Sequence, residues 1–222
     1  MKVVAIIPAR AGSVRLPKKN RRKLLGKPLI NWTIGFAKKL KFVKDTIVST
    51  NDKVILKKIS DNKSMKVFIR PEYLAKRSTN LIDAVIYDVI KYEKIFSRID
   101  AVLLLQPTSP IRSTKEILRG FKKFKYFNRK KSIISVSQTN QSNKRYFEIK
   151  SGNLFLTKKR KKNNYYQVNG NFFFATPSFL KKYKSFYYKE KTFPVIIKNK
   201  PMSIDIDTLK DFKKVEKFLD LR

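Results

Sequence analysis

The chain has 222 residues, 42% of them hydrophobic with 17 Phe and 10 Tyr, which is enough apolar material for a packed core and excludes a disordered polymer. It carries 53 Lys and Arg against 16 Asp and Glu, a formal charge of +37, and has no Cys and no His. Disulfides, thiolate metal sites, cysteine nucleophiles and a Ser-His-Asp triad are excluded, so any general base is a carboxylate, a lysine, a tyrosine or a metal-bound water.

Residues 2–8 read as an apolar opening strand. A helix follows from near Pro28, where proline suits a first turn and Leu29, Ile30, Ile34 and Ala37 fall on one side. Residues 46–50 form the next strand, then 53–60 a helix with Asp52 as its cap. Residues 66–69 are a short strand ending at Arg70-Pro71. Over 81–96 the apolar residues Leu81, Ile82, Val85, Ile86, Val89 and Ile90 keep a helical period. Residues 100–105 are a continuous apolar strand, the pattern of a central strand buried on both faces. Thr114 is the expected cap of a helix that turns Ile117, Leu118, Phe121 and Phe124 inward.

The second half is richer in strands. Residues 132–137 read as one strand and 147–156 as a hairpin turning at Ser151-Gly152. A strand over 169–175 precedes a short helix after Pro177. Residues 194–197 and 202–206 read as further strands, and 208–221 as a closing helix with Leu209, Phe212, Val215, Phe218 and Leu219 inward. This alternation predicts an α/β fold, a mostly parallel mixed sheet with helices on both faces. One domain over 1–222 is expected, with a β-rich excursion around 138–168.

The charge has two readings. Lysines spread almost evenly describe a solvated surface, whereas a nucleic-acid binder gathers them on one face or tail. Only KKRKK at 158–162 is dense, and lysines interleave with aromatics near Tyr183 to Lys191. The first favours a protein for which nucleic acid is an unlikely partner. No apolar run approaches the roughly 20 residues a membrane helix needs. The five-residue run from Val3 to Ile7 is also shorter than the roughly 7–15 residues of a signal peptide, so a cytoplasmic protein is expected.

Three clusters carry chemistry. The loop after the first strand, IIPARAGSVRLPKKN at 6–20, offers Arg10, Ser13, Lys19 and Asn20, with Gly12 free to turn the backbone around a phosphate. It has neither the Walker A nor the dinucleotide spacing, and a basic solvated loop is the plain alternative. Asp205 and Asp207 flank Ile206; on an extended segment they share a face and suit Mg²⁺, which takes few carboxylates and keeps substrate phosphates and waters. Alternatively one of them caps the helix beginning near Thr208. Gln106-Pro107-Thr108-Ser109-Pro110 follows the buried strand as either a binding loop or a rigid turn, and Asn169-Gly170 reads equally as a turn.

The order IIPARAGSVRLPKKN, GKPLINWTI, VSTND, RPEYLA, LLQPTSPIR, NGNFFF and SIDIDT resembles the acylneuraminate cytidylyltransferases, which activate sialic, pseudaminic and legionaminic acids. The seven segments run from about residue 2 to 219 in the family's order. The resemblance implies a Rossmann-like nucleotide-diphospho-sugar transferase fold and transfer of CMP from CTP to the anomeric hydroxyl of a nonulosonic acid, with release of pyrophosphate. It also implies a homodimer in which the β-rich excursion exchanges contacts between subunits. Arg10, Ser13, Lys19 and Asn20 would contact the triphosphate, and Arg70 and the backbone of 78–80 the nucleoside. Gln106, Asn169 and Phe173 would face the sugar, Asp205 and Asp207 would hold Mg²⁺, and Arg10, Lys19 and Asp207 would carry catalysis. Departures from the family are Asn51 in place of an aspartate, Lys76-Arg77 after RPEYLA, Phe173 in place of a tyrosine, and the block Lys159-Arg160-Lys161-Lys162 without the family's glutamine. A related eight-carbon sugar (Kdo) cytidylyltransferase, which shares the Arg15-Leu16-Pro17 loop pattern, is the alternative enzyme. A basic nucleic-acid-binding protein on an enzyme's fold is the alternative from another class.

Overall fold

The computed structural model describes residues 1–59, 65–139, 146–157 and 165–221; the basic block at 158–162 lies outside them. In chain order the first half holds β1 (Val3–Pro8), β2 (Lys23–Leu24), β3 (Lys27–Pro28), α1 (Leu29–Lys38), β4 (Val43–Thr50), α2 (Lys53–Ile59), β5 (Lys66–Ile69), α3 (Glu72–Ala75), α4 (Leu81–Ile95) and β6 (Ala101–Leu104). The second half holds α5 (Thr114–Tyr126), β7 (Ser132–Gln138), β8 (Tyr146–Lys150), β9 (Asn153–Thr157), β10 (Tyr166–Ala175), α6 (Pro177–Tyr183), β11 (Thr192–Ile196) and α7 (Leu209–Asp220).

The main sheet runs β11-β7-β10-β6-β1-β4-β5, with β8 and β9 attached through β10. β1 pairs in parallel with β4 and β6, β4 with β5, and β7 with β11, while β10 lies antiparallel between β6 and β7. Every residue of β6 and all but the last of β1 is buried. Both faces are covered. Val3, Ala5 and Ile7 point into a cluster with α1, α2, α5 and α7, and Val4 and Ile6 into one with α4 and α6. That two-sided burial is why these strands are unbroken apolar runs rather than alternating ones. From β1 the chain winds outward through β4 to β5, then returns along α4 to β6 on the other side of β1. The strand order thus reverses between β1 and β6, where open α/β sheets form a crevice.

Asp52 caps α2 as expected, its Oδ1 accepting from the amides of Val54 at 3.0 Å and Ile55 at 3.3 Å. The hairpin turns at Ser151 (φ 46°) and Gly152 (φ 72°), two left-handed residues in the pattern that suits a two-residue β-turn. Residues 140–145 and 158–164 of the β-rich excursion lie outside the described residues, as does Ser60 at the end of the second helix.

Several expectations need correction. Ser113, not Thr114, occupies the N-cap of α5, and its side chain makes no capping bond. Leu118, Leu209 and Phe218 are exposed. Leu118 lies one residue, about 100° of helix, beyond the buried Ile117, and Phe218 lies off the line of Phe212, Val215 and Leu219. Residues 202–206 are not a strand. Pro201–Ser203 form a 3₁₀ turn, and the Ile206 amide then donates to Thr108 O at 2.7 Å, tying the segment to the β6–α5 loop instead of to a sheet neighbour. The cap of α7 is Thr208, whose capping box with Asp211 leaves neither Asp205 nor Asp207 in that role.

Candidate active site

A cleft of about 290 Å³ opens at the carboxyl ends of β1 and β6. Its wall includes Arg10, Arg15, Lys19, Arg70 and Arg77 together with Ser13, Asn20 and Gln106, so among the described residues five cations and no carboxylate line it. The five nucleotide contacts expected from the sequence and Gln106 are therefore gathered in one place.

The loop that supplies most of them is fixed by backbone ties. Asn20 is buried and its Nδ2 donates to Arg10 O at 3.1 Å, closing the loop on itself. Ala11 N donates to Asn51 Oδ1 at 2.9 Å, and Arg10 Nη1 donates to Lys76 O at 2.9 Å. Lys18 takes a left-handed backbone (φ 55°), a conformation costing roughly 1–2 kcal/mol in an L-residue, and the turn it makes brings Lys19 inward. Lys19 Nζ then donates to Ile206 O at 2.6 Å and to Asp207 Oδ1 at 3.2 Å, while Arg15 Nη2 meets Asp207 Oδ2 at 3.0 Å. Gly12 plays a smaller part than its position suggests, since a Cβ there would meet nothing within 4 Å.

The opposite wall is assembled around a residue whose role sequence reasoning missed. Arg112 is buried, and its guanidinium donates from Nε to Asn171 O at 2.9 Å, from Nη1 to Thr33 Oγ1 at 2.9 Å and from Nη2 to Gln106 O at 2.5 Å. It thereby joins the loop after β6, the middle of β10 and α1. Burial pulls its pKa down to about 9, with the charge of Asp205 acting in the other direction. The signal was available, because Arg112 ends the motif LLQPTSPIR; its solvent-free destination was not.

Asn169 is also buried and faces the interior. Its Oδ1 accepts from Ser135 Oγ at 2.7 Å and its Nδ2 donates to Ser137 Oγ at 2.7 Å, so its amide is occupied by the strand beside it. Its carbonyl accepts from Ser109 Oγ at 2.9 Å. Gly170 (φ +71°) is the glycine the site requires: a Cβ there would sit 2.5 Å from Gln106 Oε1 and 2.8 Å from Ser109 Oγ. Phe173 is not brought to the cleft. It is buried in the α4–α6 cluster, its ring centroid 5.3 Å from that of Phe186.

The two aspartates have different neighbours. Asp207 is partly exposed and bridges Arg15 and Lys19, whereas Asp205 lies in the field of Arg112. Among the described residues no three His, Cys, Asp or Glu side chains converge. A Mg²⁺ ion that arrives with a triphosphate needs only one or two protein carboxylates, and a partly exposed Asp207 beside Lys19 fits that donor set. The departures also find their places. Arg77 adds a cation to the wall, and Asp52, committed to capping α2 and to Arg21 at 3.0 Å, does not replace the carboxylate absent at Asn51.

A cationic cleft at the reversal point of a doubly covered, mostly parallel sheet defines an α/β protein built for the phosphates of a nucleotide. The same fold occurs in a CMP:2-keto-3-deoxy-manno-octonic acid synthetase solved with CTP, which superposes with a TM-score of 0.78 over 100% of this chain and 99% of that one, at 16% identity. The cytidylyltransferase family profile matches residues 4–222. The chain is 37% identical to the CMP-N,N'-diacetyllegionaminic acid synthase of Legionella pneumophila, covering 100% of this chain and 97% of that protein. It is 29% identical to the N-acylneuraminate cytidylyltransferase of Escherichia coli over 96% of this chain and 51% of that protein. The chain belongs to the cytidylyltransferase family and is a cytidylyltransferase of the acylneuraminate type. No described helix is long and apolar enough to cross a membrane.

Proposed function

We propose that this protein transfers CMP from CTP to the anomeric hydroxyl of a nonulosonic acid, with Mg²⁺, and releases pyrophosphate. The observation that carries the reading is the cleft itself: among the described residues, five cations and no carboxylate on its wall, with Asp207 bound to two of those cations. A triphosphate brings about four negative charges, and its oxygens suit the forked guanidinium of Arg10 and the compact ammonium of Lys19. As Arg15 and Lys19 turn to phosphate, both oxygens of Asp207 become available as ligands, with Asp205 as the second carboxylate. Bound there, Mg²⁺ would supply charge neutralisation across the phosphates.

The sugar oxygen bonds to the α-phosphorus as the bond to the bridging oxygen of pyrophosphate breaks, and the sugar's hydroxyl proton leaves to a carboxylate or to water. Arg10 and Lys19 lie where charge develops, so positioning and preorganised electrostatics do most of the work. Arg70 would address the nucleoside. Gln106 faces the cleft from the β6 side and would hold the sugar, while the Asn169 carbonyl accepts from Ser109 Oγ of the same loop. A homodimer is part of this proposal, and light scattering on the purified protein tests it.

The direct test is pyrophosphate release from CTP with Mg²⁺ and a panel of nonulosonic acids, with Kdo and the other three nucleotides as comparisons. Release with CTP and at least one nonulosonic acid is expected. No release with any sugar, turnover with Kdo alone, or equal use of all four nucleotides overturns the reading.

A further inference from the structure

Asp88 is a carboxylate that the mechanism above leaves unused. It sits on the inward face of α4 with no exposed surface, in the apolar layer formed with Val85, Val89 and Ile47. Between it and the cleft stands Arg70, at the end of β5 and only 4% exposed. The Arg70 guanidinium donates from Nε and Nη2 to Ser49 Oγ, each at 3.3 Å, and from Nη2 to Ser49 O at 3.3 Å. Ser49, itself fully buried on β4, accepts from Arg70 through Oγ and so has its hydroxyl proton to offer to Asp88. Cleft, Arg70, Ser49 and Asp88 form a row in which Arg70 alone of the three side chains lines the cleft.

We propose that Asp88 is a positioning residue for nucleotide binding, which acts through Ser49 and Arg70 and takes up a proton as a nucleoside triphosphate enters the cleft. This rests on the nucleotide reading of the cleft. Neither carboxylate oxygen of Asp88 meets a donor in good hydrogen-bond geometry. Burial therefore dominates and carries its pKa up to about 7, against the smaller opposing effects of Ser49, Arg70 and Lys91. Arg70 is the one of these that a ligand can reach. A nucleotide that meets Arg70 through its nucleoside brings its triphosphate to the neighbouring Arg10, and that negative charge on the cleft side of the Arg70 guanidinium disfavours the ionised form of Asp88.

The groups around Asp88 support this assignment. From β4 comes Ser49, from the end of β5 Arg70 with Arg10 beyond it, and from α4 itself Lys91. One turn along α4, Tyr92 donates to Asp45 of β4 at 2.5 Å, a pair of its own. β1 and α6 contribute the apolar Val4, Ile6, Phe179 and Leu180 to the layer, and α3 the apolar Leu74 nearby.

The sign follows from linkage. If binding favours protonated Asp88, CTP binds more tightly below the titration of that group and more weakly above it. A shift of one unit in its pKa on binding corresponds to a tenfold change in affinity, so a weakening of about three- to tenfold between pH 6 and 8 is expected beyond what CTP's own titration contributes.

Calorimetric titration of CTP with Mg²⁺ into the whole protein, in buffers of different ionisation enthalpy, counts the protons taken up. The wild type should take up more protons at pH 7 than Asp88→Asn, by up to about half a proton because Asp88 is already about half protonated there, and should show the extra pH dependence of Kd that the variant lacks. Titration of the ligand itself is common to both proteins and cancels. Equal proton counts and parallel pH profiles overturn the coupling while leaving the nucleotide reading intact. Absence of any CTP binding to the wild type overturns that reading and this one with it. Should Asp88→Asn not fold, Ser49→Ala serves instead: loss of the hydroxyl removes an effect that lowers the Asp88 pKa, so the inflection in Kd should move to higher pH. An unmoved inflection overturns the proposal.

Discussion

The loop before α1 lines the cleft and the strand β10 lies behind Gln106, with Gly170 against that side chain, and the two serve the site in opposite ways. The loop sends Arg10, Ser13, Arg15 and Lys19 into the opening and is itself held mainly through backbone groups. β10 turns its polar side chains inward, where Asn169 is saturated by Ser135 and Ser137, and Asn171 Nδ2 donates to Ile111 O at 2.9 Å and Met202 O at 3.1 Å. The loop therefore supplies charge, and β10 supplies shape. Chemistry and stability should separate in the first region and travel together in the second.

The largest effect that tests this contrast is expected from Asp207→Asn. The amide keeps the size of the side chain but loses the charge shared by Lys19 and Arg15, and turnover should fall by about 10²–10³-fold, as when one preorganised electrostatic group is removed. Circular dichroism and melting temperature should barely change, because Asp207 is partly exposed. Near-normal pyrophosphate release from this variant would remove the carboxylate from the mechanism.

Gly170→Ala should come next and should damage both properties. The new methyl must displace Gln106 Oε1 from 2.5 Å while the backbone keeps φ +71°. A loss of about 1–3 kcal/mol of stability is expected from the strained backbone. A displaced positioning group can cost about 100-fold in kcat/KM. Denaturant titration and steady-state kinetics measure the two, and a fall in one without the other breaks the pattern proposed for β10.

Arg112→Lys should weaken folding more than it changes the chemistry. A single ammonium cannot reproduce three forked contacts to Asn171, Thr33 and Gln106. The stranded acceptors cost about 1–3 kcal/mol, which a lowered urea midpoint would report. An unchanged midpoint would show that the hub is dispensable.

Phe173→Tyr should have the smallest effect on catalysis, less than about twofold. The ring packs in the core against Phe186, so the added hydroxyl enters an apolar layer and costs about 1–3 kcal/mol if it finds no partner. A marked change in sugar preference would instead place this position in contact with the acceptor.

Much of the architecture was legible because periodicity reports burial. β1 and β6 are apolar on both faces and are covered on both, and α4 keeps its repeat over Leu81–Ile95. The segment at 202–206 was misread because apolar alternation also fits an extended chain that bonds to a loop, and only the third dimension brings Thr108 to Ile206. The cationic side of the cleft could be anticipated from the loop composition. Its other side could not, since Ser135 and Ser137 look like minor interruptions of an apolar strand until Asn169 is placed between them. Sequence shows which residues are polar but not which polar groups already satisfy one another.

The Asn51 amide has a consequence for how this chain can vary. Its oxygen receives the Ala11 amide, and its nitrogen donates to Glu72 at 3.3 Å, a bond an aspartate could not make. With aspartate at 51, two carboxylates would crowd one spot, and the anchor of the loop after β1 would become a source of repulsion. Positions 51 and 72 are thus expected to be exchanged as a pair. Asn51→Asp alone should loosen the loop, and adding Glu72→Gln should restore it, a reciprocity that a double-mutant cycle reads directly.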